Sequence, residues 1–226
     1  MVGKFKCLRC LKVILLEEGQ QYGMHTKCFM EWFQLATLGE FLNLEARADS
    51  DKNIKKQGQR SWNSSFFHGN YKKYSATLND QSYILKVKEA AYPELPVVEY
   101  VCNQIARSMK VPVSEFYLVE INRERVFVTK NFCRTKTTKM TLDHIYKYLS
   151  EKDNFDCETL LKILEKETKR YQDIETFVKM CLFDSIIGNH DRHGRNIGLI
   201  VTAKGPFLSP IYDNPSNLGL ESGQFL

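Results

Sequence analysis

A polar segment near the C-terminus, from Gly188 to Asn196, carries residue types that could transfer a phosphoryl group. Asp191 is followed five residues later by Asn196, and a second carboxylate, Asp213, comes after an apolar stretch. Asp191 could accept or orient the proton of an attacking hydroxyl, whereas Asn196 and Asp213 offer the oxygen ligands that Mg²⁺ prefers. Phosphoryl transfer needs positioned charge more than covalent chemistry from the protein, so this spacing favours a phosphotransfer site.

The neighbouring apolar runs predict rigid elements on both sides of this segment. Residues 177–188 have the spacing of a buried helix, and residues 197–201 have the composition of a strand. An ordinary solvated connection is the alternative interpretation. A run this dense in charge and amide between two apolar elements is not typical of a solvated connection and favours a functional site.

The segment also resembles a known family. Asn189-x-Asp191-Arg192-His193-x-x-Asn196, followed by Pro210-x-Tyr212-Asp213, is similar to the pattern of the HipA-like serine/threonine kinases, which include HipA, HipT and CtkA types. The resemblance implies an α+β, two-lobed protein-kinase-like fold with an antiparallel-sheet small lobe and a helical large lobe. It implies ATP and Mg²⁺ as cofactors, with Asp191 catalytic and with Asn196 and Asp213 in the catalytic centre as Mg²⁺ ligands.

The same resemblance implies partners and a setting. We expect a protein substrate, a role as the toxin of a toxin–antitoxin module or as an effector, and a cognate antitoxin as partner. We expect a cytoplasmic location, with a secreted effector as the alternative. A phosphoinositide-type lipid kinase and a catalytically inactive kinase-like binding module are the competing functions.

An apolar strand over residues 82–88 predicts the lysine that a kinase needs at the nucleotide phosphates. Lys86 is the better candidate than Lys88, because it follows Ile84-Leu85 as in the family's strand, although both lysines share one face. A helix over residues 97–109 carries Glu99 in its first turn, where the carboxylate could pair with this lysine. Alternatively Glu99 serves only the helix dipole, which favours acids at this position.

Two further segments are expected to contact the nucleotide. Residues 116–120 and 125–130 predict a hairpin around Asn122-Arg123. Its exit, with Lys130 and Phe132, resembles the family's hinge at the adenine, although Cys133 stands where many relatives have Asp. Gly69 and Asn70 lie in the segment expected to cover the phosphates, which holds a single glycine and is most similar to CtkA-type loops.

The N-terminal residues predict a separate metal site. Cys7-x-x-Cys10 and His25-x-x-Cys28 supply three thiolates and an imidazole at spacings suited to a closed, structural zinc site. A helix over residues 29–48 is predicted to follow. Buried cysteines without metal are the alternative, whereas a redox role for Cys-x-x-Cys would require a neighbouring βαβ unit that the sequence does not indicate.

Composition bounds the remaining possibilities. The chain has 226 residues, 43% of them hydrophobic, and a formal net charge of +5. Neither a membrane span nor a signal pattern is found, so we expect no membrane partner, and nucleic acid only indirectly. The predicted divisions are a zinc knuckle and helix (1–46), a linker (47–62), a small lobe (63–133) and a large lobe (134–226). Helices are predicted at 142–149, 157–171 and 174–187. We expect the large lobe to be incomplete relative to the family, so that a further chain could complete it.

Overall fold

The structure, a computed structural model, describes residues 5–15, 17–47, 73–88, 93–134 and 140–216. Ten strands and four α-helices lie within these ranges. In chain order they are β1 (Gln20–Gln21), β2 (Met24–His25), α1 (Thr26–Trp32), β3 (Leu42–Arg47), β4 (Lys73–Leu78), β5 (Gln81–Val87), α2 (Leu95–Ser108), β6 (Phe116–Ile121), β7 (Glu124–Lys130), β8 (Thr141–His144), α3 (Cys157–Thr168), α4 (Tyr171–Ile187), β9 (Gly198–Thr202) and β10 (Gly205–Leu208).

A five-stranded antiparallel sheet in the order β3-β4-β5-β7-β6 forms the first lobe, and α2 packs on β5, β6 and β7. Two hairpins set its register. Asn79-Asp80 and Asn122-Arg123 connect β4 to β5 and β6 to β7, and all four residues have positive φ. Paired positive φ values match the twist of the strands that such two-residue turns join. The β4–β5 register places Lys73 directly opposite Lys86.

The N-terminal segment shares its core with this sheet. Phe33 stacks on Tyr117 with ring centroids 3.9 Å apart, and Phe41 contacts Tyr83 edge-on at 5.7 Å. These rings belong to one buried cluster that also contains Cys7 and Phe29. The segment is therefore packed against the first lobe through aromatic contacts.

The predicted helix over residues 29–48 is wrong beyond Trp32. The chain leaves the helix at Gln34, where φ is +54°, and residues 42–47 pair with β4 as the edge strand of the sheet. Pairing gives their backbone groups a ladder, and burial of Phe33 and Phe41 draws the intervening chain onto the sheet. The predicted boundary at residue 46 remains a prediction, and most of the predicted linker lies outside the described residues.

The second lobe combines α3 and α4 with a three-stranded antiparallel sheet in the order β10-β9-β8. Leu164, Phe177 and Phe183 are fully buried between these layers. The helix predicted at 142–149 is wrong. Thr141–His144 pairs with β9 instead, and only a 3₁₀ turn, Ile145–Tyr148, follows. The β9 ladder supplies partners for these backbone groups, which outweighs local helical preference.

Helix α4 leads directly to the polar segment. It ends at Gly188, whose φ of +60° is the left-handed conformation that glycine adopts without steric cost. Strand β9 begins at Gly198, so the polar segment is held between a helix and a strand as its sequence predicts. None of the helices within the described residues is long and apolar enough to span a membrane.

Candidate active site

The sheet lobe presents a buried lysine–glutamate pair to the second lobe. Lys86 on β5 and Glu99 on α2 are 3% and 2% exposed, and the Lys86 ammonium donates a hydrogen bond to Glu99 Oε1. Burial alone would lower the pKa of Lys86, but the charges of Asp213 and Glu99 raise it above its ordinary value. The structure thus brings together two of the predicted site residues, Lys86 and Glu99, and Lys86 stays positively charged between Glu99 and Asp213.

Asp213 lies at the centre of this charged cluster. Its Oδ1 is 2.7 Å from Lys86 Nζ, and its Oδ2 is 2.9 Å from Lys73 Nζ. Burial by itself would raise the pKa of Asp213, but the charges of Lys73 and Lys86 outweigh burial and hold it well below its usual range. Asp213 is therefore an anion at neutral pH, and both of its oxygens face ammonium groups.

Lys73 is a member of the cluster that the sequence did not reveal. It is buried on β4, and its partner Asp213 lies 140 residues away in the chain. Burial lowers the pKa of Lys73, Asp213 opposes that effect, and the charge of Lys86 reinforces it. The only signal in the sequence is that Lys73 begins a strand paired antiparallel to the strand of Lys86, which becomes visible only when the register is known.

The polar loop holds Asp191 and Asn196 in different environments. The Asp191 side chain is 51% exposed and lies 3.7 Å from His193 Nε2, whereas Asn196 is buried. Asn196 Nδ2 donates to the backbone oxygen of Asp191 at 2.7 Å, and the Asp191 N–H donates to Asn189 Oδ1 at 3.0 Å. These contacts fix the loop backbone and leave the Asp191 carboxylate at the surface.

Arg192 connects the loop to α4 and to the segment that follows β10. Its guanidinium makes a bidentate pair with Asp184 of α4, with both N–O distances 2.8 Å. It also donates to the backbone oxygens of Asn196 and Tyr212, and to Asn214 Oδ1 at 2.8 Å. Planar bidentate pairing of this kind gives geometric specificity as well as energy. Arg192 therefore sets the positions of the Asn196 and Asp213 segments relative to each other, a role that sequence reasoning missed.

The predicted hinge residues line a cleft that contains the charged cluster. Lys130 and Phe132 border it together with Lys86, Glu99 and Asp213. The Lys130 main-chain N–H donates to the backbone oxygen of Glu115 at 2.8 Å, and the Lys130 ammonium pairs with Glu115 Oε2 at 3.2 Å. Lys130 thus reaches the cleft wall with its main-chain N–H already bonded within the protein. Gly69 and Asn70 lie outside the described residues.

The oxygen atoms of Asn196 and Asp213 are ligands of the kind that a hard divalent cation prefers. Asp213 supplies an anionic carboxylate, and the Asn196 amide donates through its nitrogen, which leaves the amide oxygen as its ligand atom. Within the described residues no group hydrogen-bonds to the buried Oε2 atom of Glu99. A cation at Asp213 must compete with the two ammonium groups that already contact its oxygens.

The four predicted zinc ligands converge as expected from their spacing. The ligand atoms of Cys7, Cys10, His25 and Cys28 all lie within 4.8 Å of one another. His25 Nδ1 is 3.5 Å from Cys10 Sγ, while Nε2 is 3.3 Å from the Val13 oxygen, which orients the ring. Three sulfurs and one nitrogen at this separation match a tetrahedral zinc site with bonds of about 2.0–2.3 Å.

The arrangement as a whole defines a class of protein. A sheet lobe carrying a buried lysine–glutamate pair, packed against a helical lobe that presents an Asp-to-Asn loop and a later Asp, is the architecture of protein-kinase-like folds. Residues 54–222 match the HipA-like C-terminal domain family, and the chain belongs to this family.

Three relatives extend this assignment. The kinase candidate Y4dM of Sinorhizobium fredii is 27% identical over 161 residues, which cover 63% of this chain and 39% of that protein. The fold is similar to the Helicobacter pylori proinflammatory kinase CtkA, with a TM-score of 0.52 and 24% identity over 64% of this chain and 54% of that one. It is also similar to HipA of Shewanella oneidensis MR-1, solved with HipB and operator DNA, with a TM-score of 0.52 and 16% identity over 80% of this chain and 43% of that one.

These comparisons confirm the predicted family and the α+β, two-lobed kinase-like fold. Two of these three proteins are named as kinases. The chain spans between 39% and 54% of the length of these relatives.

Proposed function

We propose that this protein is a serine/threonine protein kinase that transfers the γ-phosphate of ATP to a protein hydroxyl. One observation carries the proposal: Lys86 Nζ contacts the carboxylates of both Glu99 and Asp213 in a buried cleft between the lobes. In kinases a buried strand lysine pairs with a glutamate on the small-lobe helix and reaches the nucleotide phosphates, while an Asp of the large lobe holds Mg²⁺ beside it.

The described residues divide the work of the proposed reaction. Lys86, held by Glu99, would contact the nucleotide phosphates, and Asp213 with Asn196 would hold Mg²⁺, whose charge offsets that of the transferring phosphoryl group. Asp191 is exposed, as an acceptor protein requires, and would orient the hydroxyl. Gly69, Asn70, Lys130 and Phe132 are the proposed additional nucleotide contacts. The zinc site would stabilise the N-terminal segment.

Partners and setting belong to the same proposal. The Shewanella HipA was solved with HipB and operator DNA, which supports a toxin role with an antitoxin partner and indirect contact with nucleic acid for this chain. A cytoplasmic protein substrate follows from that role.

The proposal is tested by phosphate transfer with and without the Asp191 carboxylate. The purified protein, Mg²⁺ and radiolabelled ATP are incubated with a cell lysate, and phosphoinositide vesicles replace the lysate in a parallel reaction. We expect labelled protein bands, and we expect Asp191→Asn to abolish them while Mg·ATP affinity changes less than about threefold. Glu151→Gln, an exposed acid outside the cleft, is the matched control. Equal labelling by the Asp191 variant contradicts the assignment, and labelled lipid alone favours a lipid kinase.

A non-catalytic binding module is the second candidate, because both oxygens of Asp213 already face ammonium groups. In that case the protein binds Mg·ATP, or no nucleotide, and labels nothing. The labelling reaction separates the two candidates, and calorimetry on the same preparation shows whether a protein that labels nothing still binds Mg·ATP.

A further inference from the structure

Two buried amide side chains meet between α2 and the segment that follows β10. Asn103 is 5% exposed and Asn214 is fully buried, and Asn214 Nδ2 donates to Asn103 Oδ1 at 3.2 Å. The other end of each amide is also bonded. Asn103 Nδ2 donates to the Glu99 backbone oxygen at 2.8 Å, and Asn214 Oδ1 accepts from Arg192 at 2.8 Å. The pair therefore orients both amides uniquely.

These bonds form part of a continuous path across the cleft. Asp184 on α4 holds Arg192, Arg192 holds Asn214, and Asn214 holds Asn103. Asn103 lies one helical turn after Glu99, the residue that pairs with Lys86, and Asn214 directly follows Asp213. The path thus connects the Lys86–Glu99 pair to Asp213 without including the side chains of Lys86, Glu99 or Asp213.

The residues around the Asn103–Asn214 pair indicate that the pair positions α2 rather than adds to the stability of the fold. The neighbours of Asn103 on α2, Cys102 and Ala106, are packed in an apolar cluster of the second lobe. Two amides at an apolar contact stabilise less than two apolar side chains would, but they permit only one register. α2 is thereby fixed relative to Asp213 at a single spacing.

We propose that Asn103 and Asn214 are positioning residues that set the distance between the Lys86–Glu99 pair and Asp213. The proposal rests on the proposed kinase function. It implies that loss of the amide pair disturbs metal use before it disturbs folding, because Asn214 is adjacent to Asp213 in the chain, so that a shift of Asn214 moves the Asp213 carboxylate.

A double-mutant cycle tests the pair. Asn103→Ala, Asn214→Ala and the double variant are compared with Gln104→Leu, an amide one residue along the same helix whose side chain donates to the Tyr100 hydroxyl. We expect each single variant to raise the Mg²⁺ concentration for half-maximal phosphate transfer about tenfold, the equivalent of one lost hydrogen bond. The double variant should be no worse than the poorer single variant, and Gln104→Leu should stay within about twofold of the parent.

A purely structural role gives a different result. Partial unfolding lowers the maximal rate without moving the Mg²⁺ midpoint, and unrelated sites give additive losses in the double variant. Either result overturns the proposal. If Asn103→Ala does not fold, Asn103→Ser, whose hydroxyl is too short to reach Asn214, takes its place in the cycle.

Failure of the kinase function itself is recognised separately. If the parent protein transfers no phosphate, the pair is tested by hydrogen exchange of the ligand-free protein. Faster exchange at residues 212–216 and in α2 of Asn103→Ala, with no change in Gln104→Leu, supports the coupling between the two segments. Unchanged exchange in Asn103→Ala overturns it.

Discussion

Asp213→Asn should destabilise the protein strongly, because this carboxylate faces two buried ammonium groups. Removing one member of a buried ion pair costs about 3–5 kcal/mol. The Asp213 side chain is 17% exposed, so we take the lower end, about 3 kcal/mol. For a protein of this size that loss lowers Tm by about 6–12 °C, at about 2–4 °C per kcal/mol.

The effect should depend on pH in a defined direction. The folded pKa of Asp213 lies below its unfolded value of about 3.9, so its contribution is complete above that pH and is lost as pH falls through the folded pKa. The Tm difference between parent and Asp213→Asn should therefore stay constant from pH 5 to pH 8 and narrow only below about pH 4. Thermal and urea melts measure both quantities.

Lys73→Met supplies the rescue experiment. In the Asp213→Asn background it removes one of the two facing charges, and it should recover about 1–2 kcal/mol of the loss. Lys88→Met is the matched control, since Lys88 directly follows β5, has a side chain 50% exposed and should change stability by less than about 0.5 kcal/mol. The reasoning is refuted if Asp213→Asn is as stable as the parent, or if Lys88→Met rescues as well as Lys73→Met does.

Three further predictions concern the nucleotide, the metal and the packing of the second lobe. Lys86→Ala should weaken Mg·ATP binding at least tenfold, by roughly the 1.4 kcal/mol of one charge-assisted contact, whereas Lys88→Ala should not; equal calorimetric affinities would contradict the role of Lys86. Purified protein should contain about one equivalent of zinc, and elemental analysis without zinc would contradict the site. Chelation should increase hydrogen exchange in residues 5–32. The control Cys157→Ser should respond to chelation as the parent does, because Cys157 lies outside the metal cluster. Gly198→Ala should cost about 1–3 kcal/mol in urea melts, because a Cβ there would lie 2.5 Å from Leu142 Cδ1, and a variant of unchanged stability would show that Leu142 repacks freely.

The parts of the fold that follow from local rules could be predicted from the sequence. Asn122-Arg123 between two apolar alternating runs predicts a hairpin, and the structure has both residues at positive φ. Of the two candidate lysines, Lys86 is buried at Glu99 whereas Lys88 pairs with Glu124 at the surface, and the nucleotide contact of Lys86 stays a prediction. The local pattern was sufficient for the hairpin because its strands and turn are close in sequence, whereas the resemblance to the family's strand, and not periodicity, distinguished Lys86 from Lys88.

Other features depend on contact partners that are distant in the sequence, and no local pattern predicts such contacts. Lys73 acquires its role from Asp213, 140 residues later, and Asn103 from Asn214, 111 residues later. The edge strand over residues 42–47 likewise forms because β4 offers a ladder, against a local pattern that predicted helix. Long-range pairing decides these positions, and a single sequence does not contain the register that produces it.

The arrangement around Asp213 also relates the stability of the protein to the proposed function. Lys73 and Lys86 contact both carboxylate oxygens, so a cation at Asp213 would compete with two ammonium groups for the same oxygens. Moving the buried Lys73 ammonium away from Asp213 would break a charge-assisted hydrogen bond, which is costly inside the protein. Under the proposed function, nucleotide phosphates would supply replacement acceptors. Metal and nucleotide should therefore bind the cleft more tightly together than separately, with Lys73 as the group that exchanges one anion for the other.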